Sequence, residues 1–123
     1  MINWLLVFAG GGAGSICRFA IAQWMAPLQL HFPWATWVAN ILSCIFLGLL
    51  TGWSLANRLT APYQYLLMTG FCGGFSTFST FTNESFRLMS NGQAGTALLY
   101  MGLSMVSCLL ALYLGIKISS SLT

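Results

Sequence analysis

"GFCGGFSTFSTF", residues 70–81, decides the fold. It lies inside a long apolar region, yet it holds three glycines and four hydroxyls interleaved with phenylalanines. The adjacent Gly73 and Gly74 invite a break in a helix, because glycine is a poor helix former. A break frees main-chain carbonyl and N–H groups. Hydrocarbon cannot satisfy them, so the broken segment must be buried in protein or line a cavity. Broken helices at a membrane midplane are typical of ion sites, where unwound carbonyls can hold a cation. Beyond the break, Phe75, Phe78 and Phe81 recur every three residues along one face. Ser76, Ser79 and Thr80 share another face, and Thr77 neighbours Thr80.

The surrounding composition makes this a membrane chain. Of 123 residues, 58% are hydrophobic and 4% charged, far from a soluble domain. A bilayer core about 30 Å thick needs about 20 apolar residues in a helix. Four such runs fit one all-α transmembrane domain over 1–123: about 3–25, 34–55, 62–89 with a break near 73–77, and 95–118. Short connections make consecutive helices antiparallel neighbours. Residues 2–25 read as a retained helix rather than a signal peptide, because no basic segment or clear cleavage site accompanies them.

Several function classes are excluded. Four scattered basic residues do not make a nucleic-acid surface. One carboxylate and one histidine leave little for acid–base catalysis, so the chain is not read as an enzyme. Cys17, Cys44, Cys72 and Cys108 form no C-x-x-C pair and read as buried thiols packing as small hydrophobes. His31 reads as an exposed loop residue. Gly10-x-x-x-Gly14 and Gly48-x-x-x-Gly52 are close-packing signals between helices.

The basic residues also bear on orientation. Arg58 and Lys117 lie on the side of both termini; Arg87 lies on the other side, and Arg18 leans towards it. This balance gives insertion almost no instruction and fits a chain that inserts both ways and pairs as an antiparallel dimer; the competing reading is an ordinary single topology with weak signals.

Polar groups within the spans are candidate site residues, because lipid is costly for them. They are Asn40 on the second helix and a stripe of Tyr100, Ser104, Ser107 and Cys108 on the fourth. The competing readings are helix–helix glue for Asn40 and hydroxyls bonded back to their own helix for the stripe. Arg18 and Glu84 both fall on the half of the membrane away from the termini. They can pair, Arg18 can snorkel, or Arg87 can compete for Glu84. Hydroxyl and amide donors beside phenyl ring edges suit a small anion, and none is a full cation that would trap it. Conduction needs sites strong enough to replace hydration and weak enough to release.

These residues resemble the Fluc (CrcB) fluoride channels of microorganisms over essentially the whole chain. "GFCGGFSTFSTF" looks like that family's third-helix signature. "GGAGSICR" at 11–18 resembles its first-helix glycine–arginine motif, and "VANILSCIFLG" at 38–48 its second-helix asparagine segment. The resemblance implies a dual-topology, antiparallel homodimer in the cell (inner or plasma) membrane with two fluoride pores and passive export of fluoride. It implies a structural sodium ion at the dimer centre, held by backbone carbonyls that map to Gly73 and Ser76. It maps the pore phenylalanines to Phe78 and Phe81, the pore asparagine to Asn40, and the arginine and third-helix glutamate to Arg18 and Glu84, which more plausibly line a vestibule. With the flanking hydroxyls Ser79 and Thr80 and the fourth-helix Tyr100, Ser104 and Ser107, these complete the candidate site. The alternatives are a small dual-topology multidrug or cation transporter, which needs a first-helix carboxylate that this chain lacks, and a non-transporting assembly subunit of a membrane complex.

Overall fold

The computed structural model describes residues 1–28 and 31–123. Its long elements are α1 (Ile2–Met25), α2 (Trp34–Leu55) and α6 (Ala94–Ser121). All three are long and apolar enough to cross a membrane. Between α2 and α6 runs an interrupted third span. It comprises α3 (Ala61–Tyr63), a π-helical segment (Gln64–Cys72), α4 (Gly73–Phe75) and, after a break, α5 (Phe78–Ser90).

The boundaries follow from local chemistry. α2 starts directly after Pro33, and Pro62 sits in the first turn of α3, where a missing N–H costs nothing. After α2, Asn57 adopts φ 56° while the Arg58 N–H reaches back to Trp53 O at 2.9 Å. After α5, Gly92 takes φ 76°, and the Gln93 N–H closes on Leu88 O at 2.8 Å. Both are left-handed helix ends that satisfy otherwise orphaned carbonyls.

Packing divides the bundle into two seams: α1 lies along the first half of the third span, and α2 lies along α6. The glycine spacings predict both. A Cβ on Gly14 would strike Phe71 O and come within 2.7 Å of Phe75 N, and one on Gly10 would strike Leu66 O. On the other seam a Cβ on Gly48 would strike Leu112 O, and one on Gly115 would strike Ile45 O. Small residues let these backbones touch. A third cluster ties α5 to α6 through Leu88, Ala97 and Tyr100, with Phe32, Trp37 and Phe81 packed against them.

The break differs in detail from the sequence reading. Gly73 and Gly74 stay helical, and the chain extends only at Ser76 (ψ 157°) and Thr77 (φ −150°, ψ 121°). Gly74 serves close packing instead, since a Cβ there would strike Gly11 O. The chain opens where side chains offer substitute partners. Thr77 caps α5 by accepting from the Thr80 N–H at 3.2 Å, the usual N-cap role of threonine. Ser76 still donates its N–H to Cys72 O at 3.0 Å, so the last turn before the break is complete.

Candidate functional site

Asn40 holds the break. Its Oδ1 accepts from the Thr77 N–H at 2.8 Å and its Nδ2 donates to Thr77 O at 3.3 Å. One side-chain amide thus takes both main-chain groups of one extended residue. In a continuous helix the Thr77 N–H would serve Gly73 O, so this carbonyl loses its helical donor. Gly74 O is served instead by α1: Arg18 Nε donates at 3.2 Å and Ser15 Oγ at 3.4 Å. On the near side of the break, Cys72 O accepts from Ser43 Oγ at 3.1 Å and Ser76 Oγ at 2.9 Å.

Beside the break opens a cavity of about 250 Å³, lined by Asn40, Ser76, Thr77, Phe78, Phe81 and Ser104, with Cys44, Met105 and Cys108 completing the wall. The Phe78 and Phe81 rings lie 5.7 Å apart, tilted by 36°. Phe81 also packs on Tyr100, with 5.0 Å between centroids, while Phe78 is 79% exposed. Two residues of this wall hold donors that are not fully used. Asn40 Nδ2 carries two hydrogens and spends one on Thr77. Ser104 Oγ is buried without a hydrogen-bond partner among the described residues, which is uncommon for a buried polar group and calls for an explanation.

Thr77 Oγ1 donates to Thr80 Oγ1 at 3.1 Å and lies 3.3 Å from Ser79 Oγ, so a hydroxyl ladder leads away from the break. It reaches a second cavity of about 180 Å³, where Thr80 shares the wall with Arg18, Thr36 and Glu84. A third space of about 410 Å³ continues from Glu84 past Arg87 and His31. Arg18 and Glu84 therefore face one cavity, but neither pairing expected from the sequence forms. Arg18 serves the broken helix. Glu84 is held by hydroxyls, accepting from Thr36 Oγ1 and from Tyr100 OH, each at 2.7 Å. Two strong acceptor oxygens in a half-buried site are thereby satisfied by neutral donors.

The fourth-helix stripe separates into distinct roles. Ser104 and Cys108 reach the cavity beside the break, and Tyr100 is buried as a clamp on Glu84. Ser107 lies elsewhere: its hydroxyl accepts from Trp37 Nε1 at 3.1 Å and bonds back to its own helix through Ser104 O at 3.3 Å. Ser79 is exposed. The sequence reading missed Thr36, Ser43 and Ser15. The first two were within reach: Thr36 lies four residues before Asn40 and Ser43 three after it, so all three share one face of α2. The cysteine reading needs correction. Cys72 is buried, but Cys17 is exposed, and Cys44 and Cys108 line the cavity rather than only filling the core.

Fold and site define the class. This is a multi-pass protein of the cell membrane, with a span interrupted at a pocket of neutral donors and phenyl rings. Residues 5–116 match the family model described as CrcB-like protein, Camphor Resistance (CrcB), and the chain belongs to this family. It is 42% identical to a Fluoride-specific ion channel FluC of Chlorobium chlorochromatii, covering 91% of this chain and 88% of the relative. It is 40% identical to Fluoride-specific ion channel FluC 2 of Bacillus cereus, covering 96% and 98%. A relative of the same description from Azobacteroides pseudotrichonymphae is 40% identical, covering 89% and 90%.

Proposed function

We propose that this chain is a fluoride-selective ion channel that lets fluoride leave the cytoplasm passively. The observation that carries the reading is the cavity at the break, lined by Asn40, Phe78, Phe81 and the unpartnered Ser104. Family membership and the names of the relatives point the same way. Fluoride is small and strongly hydrated, so entry requires replacement donors. Asn40 and Ser104 would offer them, together with the positive edges of the Phe78 and Phe81 rings in the same wall. Every group is neutral, so the ion is released as readily as it is taken. Arg18 supplies positive charge near the second cavity without lining the first. Its guanidinium draws anions towards the site while its Nε stays tied to Gly74.

The working unit is an antiparallel homodimer with two pores. Phe78 and Gly73 are exposed on a single subunit, and a second copy covers such a surface. The chain's oxygens fit a sodium ion at the centre of that dimer. Gly73 O has lost its helical donor to Asn40, Ser76 is extended, and both would offer neutral carbonyls, which suit a hard monovalent cation. Such an ion would tie the two broken spans together.

Fluoride efflux from liposomes containing the purified protein tests the reading. A fluoride electrode should record rapid release once potassium is shunted by valinomycin, with chloride excluded. Equal passage of chloride, or a requirement for a proton gradient, sinks the channel reading.

A further inference from the structure

The cavity beside the break has a sulfur-rich wall that fluoride passage does not require. Cys44 on α2 and Cys108 on α6 stand on the two helices that pack along this seam, and both belong to the wall of the one cavity. Both line the cavity, and so does Met105, one turn before Cys108 on its exposed side. Cys72, which is buried, is not among the lining residues. Ser104 Oγ, buried and unpartnered, belongs to the same wall. Two thiols and a thioether around one open space form a donor set for soft metals. Such ligands select copper(I) and its relatives, whereas oxygen donors select hard cations.

We propose that Cys44, Cys108 and Met105 bind one soft monovalent cation of the copper(I) or silver(I) class, and that the bound cation closes the cavity to fluoride. No electron is transferred. A thiol that coordinates as thiolate gives its proton to water, and the metal takes its place. The site rests on the cavity alone; the closure rests also on the fluoride reading above. A cation here sits among Asn40, Ser104, Phe78 and Phe81, where it fills the space an anion would cross and attracts the anion too strongly to release it.

Silver(I), added as nitrate in chloride-free buffer, is the probe. The test protein carries Cys17→Ser, which removes the exposed thiol on α1. After desalting against excess free methionine, this protein should retain one silver per subunit. Retention should fall to background in Cys44→Ser and in Cys108→Ser. Met105→Leu, a change at an exposed position, should fold normally and retain silver more weakly. Equal retention in all four proteins overturns the site. In liposomes, silver should slow fluoride efflux at least tenfold, dithiothreitol should restore it, and the Cys44→Ser channel should not respond. Stoichiometric silver with unchanged efflux overturns the closure. Absence of efflux before silver is added counts against the fluoride reading, while the retention measurement still decides the metal site.

Discussion

At the residue scale, Asn40 carries more than its place in a pore motif implies. Its two bonds to Thr77 are what let a helix open inside a bilayer. Asn40→Ala strands a half-buried N–H and C=O, at about 1–3 kcal/mol for each unsatisfied group. The expected outcome is a lower melting temperature in detergent together with lost efflux. Normal stability with lost efflux would make the side chain a fluoride ligand only. The phenylalanines divide differently. Phe78 touches little of its own subunit, so Phe78→Ile should leave the subunit folded. Phe81→Ile loses contact with Tyr100 but nearly keeps volume. If ring edges compensate the anion, both variants should conduct far more slowly, about tenfold for each 1.4 kcal/mol added to the barrier. Phe75 is buried, packs on Phe71 and is not among the residues lining the three cavities described above, so Phe75→Leu should conduct nearly normally. Equal, near-normal flux in all three, measured per amount of folded protein, would reduce the rings to packing.

At the element scale, the third span shows how glycine and side-chain caps share the work of breaking a helix. Gly73 and Gly74 are neighbours with opposite surroundings. A Cβ on Gly74 collides with the backbone of α1, and a Cβ on Gly73 meets nothing within 4 Å among the described residues. Gly74→Ala should therefore separate α1 from the third span and reduce the yield of folded protein, whereas Gly73→Ala should leave the subunit intact. Thermal unfolding in detergent distinguishes them, and equal stability would refute the backbone contact. Much of this was legible in the sequence. Spacing of small residues marked both helix seams, and the Gly–hydroxyl–Phe alternation marked an interruption. The break was legible to within residues 73–77, but its place at Ser76 and Thr77 was not, because it depends on Asn40, which lies 37 residues away in the chain. The π-helical stretch from Gln64 to Cys72 carried no local signal either, since a widened turn depends on the backbone it packs against. Similarly, Glu84 looked like a partner for arginine in one dimension. Only the packing of α2 and α6 around α5 brings Thr36 and Tyr100 to it first.

At the scale of the whole molecule, the balance of four basic residues acquires a physical role. Orientation in the membrane follows the excess of Lys and Arg on one side, and here Arg58 and Lys117 offset Arg87 and Arg18. Arg18 is tied to Gly74 O inside the bundle, and Arg58 reaches Thr123 O at the terminal side. The proposed antiparallel pair requires insertion in both directions in equal populations, which such a balance would permit. Ser121 lies at the exposed end of α6, beyond the proposed pore, so Ser121→Cys reports orientation without touching the site. In a Cys17→Ser background, a membrane-impermeant maleimide applied to intact cells should label about half of the chains, as equal insertion requires. Permeabilisation should release the other half. Adding two lysines next to Arg58 tilts the charge count to one side, so labelling should become one-sided and efflux should fall, because antiparallel partners become scarce. Co-expression with a variant charged the opposite way, with lysines beside Arg87, should restore both. Labelling confined to one face in the unaltered chain, with full fluoride efflux, would show that the working channel is assembled from parallel subunits.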